Sequence, residues 1–91
     1  MYKITDYTKK QAKRLGVVVK PSSVAGKKID VYKGGIKVAS VGALGYSDYP
    51  TYTKTMGKKY ADERRRLYKI RHKKDRLKKE TNGWYADQLL W

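Results

Sequence analysis

Residues Lys58–Lys79 read KKYADERRRLYKIRHKKDRLKK and carry twelve basic side chains against the acids Asp62, Glu63 and Asp75. The stretch holds no Gly or Pro and is rich in Arg, Lys and Leu, so backbone preference and apolar spacing both predict one helix. At 1.5 Å per residue it spans about 33 Å. On a helical wheel Tyr60, Ala61, Leu67, Tyr68, Ile70 and Leu77 share one side, and Arg65, Lys69, His72, Lys73 and Arg76 lie opposite. The expectation is that the first side packs and the second meets a polyanion. Pairs three or four apart, Asp62 with Arg66 and Asp75 with Lys79, neutralise only a small part of the excess.

Before this rod the chain reads as helix, then strands. Thr8-Lys9-Lys10-Gln11 matches a capping box, and Gly16 is placed just past the end of a short basic helix over residues 9 to 15. Val17-Val18-Val19-Lys20 reads as a strand stopped by Pro21-Ser22-Ser23. Ile29 and Val31 alternate with Asp30 and Tyr32, Gly34-Gly35 offers a tight turn, and Ile36 and Val38 resume the alternation, which predicts a hairpin. A short helix from about Pro50 to Met56 follows, since Pro suits a helix start. Gly57 either ends that helix or kinks it into the basic one. Thr81-Asn82-Gly83 stops the long helix, leaving Trp84, Tyr85, Leu89, Leu90 and Trp91 in an apolar tail that must dock on its own domain or on a partner.

The reading is therefore α+β: a short N-terminal helix, a small antiparallel β-meander, a long basic helix, and a short aromatic C-terminal helix or tail. Ninety-one residues suit a single domain, residues 1–91, made of a helix plus meander (1–45), a helical basic segment (46–80) and the apolar tail (81–91). A net charge of +15 far exceeds what solubility needs and predicts an anionic partner. There is no Cys, hence no disulfide framework and no thiolate metal site. The longest weakly polar run, Val38–Tyr46, is too short for a membrane span, and the N-terminus has no signal-peptide core, so a soluble, intracellular product with no membrane partner is expected.

Catalytic chemistry finds little to work with. His72 is the single histidine and has no thiol or second imidazole beside it, so it reads as a surface residue among like charges. Asp62 and Glu63 are adjacent and point about 100° apart on a helix, which suits the favoured acids of a first turn rather than a metal pair. Asp30 and Lys33 lack the second carboxylate that a nuclease motif needs, and no glycine pair is followed by the Lys-Ser/Thr of a phosphate loop. No enzyme activity, small-molecule substrate, cofactor or metal is expected.

The basic residues carry the functional reading instead. Ordinary solvated faces mix signs; here Arg65, Lys69, Lys73 and Arg76 do not, and Lys58, Lys59, Arg64, Arg66, His72 and Lys79 extend the patch. Lys9, Lys10, Lys13 and Arg14 repeat the theme on the first helix, so backbone neutralisation is favoured over base readout. Arg71 and Lys74 fall on the apolar side and are expected to lay their stems over it and pair with an acid, Asp87 or the terminal carboxylate. The nine Tyr and two Trp, with no Phe, suit half-wet contacts. Tyr60, Tyr68 and Trp84 are expected in the core. Tyr46, Tyr49 and Tyr52, read equally as core or contact surface, join Trp84, Leu90 and Trp91 as candidate protein-interface residues.

Three blocks, GALGYSDYPTY, GKKYADERRRLYKIRHKKD and the final GWYADQLLW, resemble in the same order a family of small uncharacterised basic proteins encoded by large nucleocytoplasmic DNA viruses (giant viruses) and by related marine viral sequences. The resemblance covers nearly the whole chain and brings no active-site pattern. It implies a viral setting, with localisation to the virion and to the host cell interior during assembly. Two expectations follow: a minor capsid or internal virion structural protein bridging other capsid proteins and packaged DNA, or a free nucleic-acid-binding accessory protein.

Overall fold

The computed structural model describes residues 2–91. Helix α1 (Asp6–Leu15) leads into a three-stranded antiparallel sheet of β1 (Val18–Pro21), β2 (Lys27–Lys33) and β3 (Ile36–Ala43), in the order β1-β2-β3. Then come α2 (Tyr49–Met56), α3 (Lys58–Arg71), the single turn α4 (Lys73–Arg76) and α5 (Asn82–Leu90). The α+β expectation and the meander hold, with Gly34 and Gly35 at positive φ in the hairpin turn. The register pairs Val19 with Val31 and Ile29 with Val41, and an irregularity at Val31/Tyr32 leaves Val38 without a partner across the pair.

The core is built from one face of the sheet and two helices. Ala12 of α1, Ile29, Val31, Ala39 and Val41 of the sheet, and Tyr85, Leu89 and Leu90 of α5 form one buried cluster. Two expectations about ends need correction here. The first helix starts at Asp6 because Thr5, not Thr8, is its cap, accepting from the Thr8 N–H at 3.2 Å. Thr8 is wholly buried and donates to the Leu89 carbonyl at 2.8 Å, supplying a partner for the end of α5. Likewise Thr81 does not stop the basic helix, which ends earlier: it accepts from the Trp84 N–H and caps α5, the helical one of the two forms expected of the C-terminal segment, which inserts into the chain's own core. At its close crossing with β3, a Cβ on Gly42 would lie 2.8 Å from Leu90 Cδ1, and Gly42 also sits at φ +84°.

The long basic rod is the largest departure. Gly57, at φ 91° and ψ 160°, separates α2 from α3, and α3 runs only fourteen residues, about 21 Å. It ends at His72, whose ring stacks on Tyr68 at 4.3 Å. In a continuous helix the Lys69 carbonyl would accept from residue 73; here the Arg76 Nε–H takes it at 3.1 Å. The chain then turns through residues 77 to 81, where Glu80 adopts a positive φ of 66° and accepts from Lys33, before α5 returns with Gly83 pressed against Asp75.

Helix α3 is also rotated by roughly a quarter turn from the expected setting. Ala61 and Tyr68 are buried as predicted, but Tyr60, Ile70 and Leu77 are exposed, the last two by 60% and 62%. The packed side follows Ala61, Arg65, Tyr68 and His72. Its neighbours are aromatic: Tyr68 lies between His72 and Trp91, the latter at 4.4 Å and nearly parallel, and the Arg65 guanidinium sits 3.5 Å from the centre of the Tyr49 ring. A guanidinium stacks on such a surface as readily as an aliphatic chain packs there.

Candidate polyanion-binding surface

Acids in this chain are few, and most are engaged internally. Six Lys and Arg side chains lie within 4.0 Å of a carboxylate: Lys28 with Asp48, Lys33 with Glu80, Lys37 with Asp30, Lys58 with Asp62, Arg66 with Glu63 and Lys69 with Asp87. That engages six of the eight acids and leaves 17 of the 23 Lys and Arg without a carboxylate partner among the described residues. The field is therefore uncompensated, although it is not arranged along one rod.

The predicted binding residues separate into three groups. Lys9, Lys13, Lys59, Lys73 and Lys79 are exposed and free of carboxylates, and the exposed Arg14 donates to Gln88 at 2.8 Å. Lys58 and Arg66 stand on the surface but are already paired, which lowers their availability; Asp62 and Glu63 are held below their ordinary carboxyl values chiefly by those hydrogen bonds. The third group turns inward. Lys69 reaches the buried Asp87 at 2.6 Å, Arg65 contacts Tyr49 and Tyr7, Arg76 binds the Lys69 carbonyl, and Arg64 lies 5.6 Å over Tyr52. Arg65 and Lys69 are thus corrected from reading groups to packing groups, and Asp87 pairs with Lys69 rather than with Arg71 or Lys74. The half-buried His72 stacks on Tyr68 and faces Asp75 at 3.9 Å.

The candidate interface residues divide as well. Tyr46 is 78% exposed. Tyr49 is buried, donating to Asp62 at 2.8 Å, and Leu90 is 1% exposed within the core, so neither offers surface to a partner. Tyr52, Trp84 and Trp91 are half-buried. Of the three residues expected in the core, Tyr68 is buried and Trp84 packs against the core's edge, while Tyr60 is exposed. Burial, followed by the nearby Asp87 charge, pushes the Tyr68 hydroxyl up to about 12.

Two polar centres escaped sequence reasoning because they join distant residues. Asp48 caps α2 through the Thr51 N–H and also accepts from the buried Lys28 Nζ at 2.9 Å and the half-buried Tyr2 hydroxyl at 2.7 Å. Burial pushes its carboxyl up, but these hydrogen bonds outweigh that and hold it below the ordinary value. Asp30, on the sheet face away from the core, accepts from Ser22 at 2.5 Å and Ser40 at 2.7 Å, which brings its carboxyl down to about 2. Both stabilise the scaffold that presents the cations.

A groove of about 400 Å³ opens between the β3–α2 connection, α3 and α5. Its lining includes Tyr46, Tyr52 and Trp91, the cations Lys27, Arg64 and Arg71, and the small groups Gly42 and Ala86. No Asp or Glu side chain lines it. Among the described residues no cluster of three or more His, Asp or Glu is placed to hold a metal ion, and no helix is long and apolar enough to cross a membrane. Comparison of the chain with protein-family models, with curated proteins and with solved structures finds no match.

Proposed function

We propose that this protein is a non-catalytic, basic structural component of a virus particle that bridges packaged DNA and acidic protein surfaces. The observation that carries the bridging role is the set of 14 exposed Lys and Arg without a carboxylate partner among the described residues, the 17 less the inward-turned Arg64, Arg65 and Arg76, distributed over α1, the sheet, α2 and the α3–α4 region, on a scaffold whose own acids are mostly committed. Cations on several elements suit contact with more than one anionic surface and neutralise phosphates without reading bases. The particle setting comes from the sequence resemblance. A free nucleic-acid-binding accessory protein is the second reading, favoured by the aromatic groove, which a bridge between surfaces does not require.

Salt dependence tests the polyanion contact. If about six phosphates of duplex DNA are neutralised, log affinity falls against log salt with a slope near −5. Replacing Lys9, Lys13, Lys73 and Lys79 with Gln is expected to flatten that slope by about 0.9 for each phosphate no longer neutralised, with the circular dichroism spectrum unchanged. A wild-type slope near zero would assign the cations to protein surfaces alone. Quantifying the protein in purified particles before and after genome removal separates the settings: its absence from the particles overturns the structural role.

A further inference from the structure

We infer that the groove between the β3–α2 connection and α5 is a seat for an unpaired nucleobase together with its flanking phosphate. This deepens the polyanion reading above and rests on it. Three features select that ligand class. The walls are aromatic: Tyr52 contacts Trp91 with ring centres 6.2 Å apart, Trp91 is itself stacked on Tyr68, and Tyr46 is 78% exposed beside them. Every base has a flat π-face, so such rings accept it regardless of identity. The charges around the groove are of one sign. Lys27 and Arg71 are exposed and have no carboxylate within 4.0 Å among the described residues, and Arg64 lies over the Tyr52 ring. A guanidinium without a carboxylate partner beside an aromatic wall pairs with phosphate while the base stacks. The volume of about 400 Å³ lies within the ordinary range of small-ligand sites.

A base paired within a duplex keeps its face stacked on its neighbours and cannot enter, so the groove selects single strands, frayed ends or extruded bases. The surface cations of α1 and α4 then hold the backbone of any strand, and the groove adds a contact that only a strand with a free base can make.

Fluorescence anisotropy on the full chain tests this with three probes at one salt concentration: a short oligothymidylate, the same backbone carrying abasic sites, and a duplex of matched phosphate number. The base-bearing strand is expected to bind about tenfold tighter than the abasic one. Tyr46→Ala, an exposed and uncharged change, should abolish that preference while leaving duplex binding unchanged. Lys73→Gln, outside the groove, should weaken all three probes alike. Equal affinity for base-bearing and abasic strands, or a preference that survives Tyr46→Ala, overturns the groove assignment alone. Failure of all three probes to bind, even at low salt, overturns the underlying polyanion reading instead.

Discussion

Single residues show how a chain with eight acids and 23 Lys and Arg uses the minority charge. Asp30 and Asp48 are both almost fully buried, and each is matched by several donors rather than by one surface cation. Because both carboxyls titrate lower in the fold than in the unfolded chain, they contribute stability that is complete above the unfolded value of 3.8 and is lost as pH falls through the folded one, about 2 for Asp30. The melting temperature is therefore expected to hold from neutral pH down to about 4 and then to fall towards pH 2. Asp30→Asn should make that acid limb shallower, and an unaltered limb would remove Asp30 from the cause. The choice of Ser22 and Ser40 as partners was not visible in sequence, since Ser22 reads equally well as a turn residue. Only the pairing of β2 with β3 brings Ser40 beside Asp30.

At the scale of elements, the C-terminal segment carries more of the fold than its position suggests. Helix α5 supplies Tyr85, Leu89 and Leu90 to the core, and Asp87 to the ion pair with Lys69 that ties α3 down. Truncating Leu89→Ala is expected to cost about 2–5 kcal/mol, read by chemical denaturation, because the side chain is fully buried in the core cluster. A change below about 0.5 kcal/mol, typical of an exposed site, would return the segment to the status of a free anchor. The rotation of α3 belongs to this scale too. Leu and Ile dominate a hydropathy pattern, yet Ile70 lies in water while Arg65 lies on Tyr49. The neighbours of α3 are tyrosine and tryptophan rings, which reward stacking geometry as well as apolar area.

For the whole molecule, a net charge of +15 on 91 residues is confined to an object 37 by 28 by 25 Å, dimensions comparable to the screening length of about 30 Å in dilute buffer. Self-repulsion then opposes folding, and the effect is strongest in dilute buffer. Raising ionic strength from about 0.01 M to 0.15 M, which shortens the Debye length from about 30 Å to about 8 Å, is expected to raise the melting temperature. A flat or falling response in calorimetry would mean that the cations are compensated within the molecule. The same excess motivates the proposed polyanion contact, which would supply the charge that the chain lacks.

What the sequence determined by itself was local or summed. The Gly34-Gly35 hairpin, the left-handed Gly16 at φ 72° that closes α1, the start of α2 near Pro50 and the sign of the net charge all follow from neighbouring residues or from a total that no fold can alter. Only tertiary structure decided where the basic helix breaks, which of its faces packs, and that the aromatic tail closes a core. Those outcomes depend on contacts between residues far apart in the chain: Arg76 taking the carbonyl of Lys69, Trp91 stacking on Tyr68, and Lys69 reaching Asp87. Their energies compare with the small differences among backbone preferences within a helix, so the pattern of one segment could not foretell them.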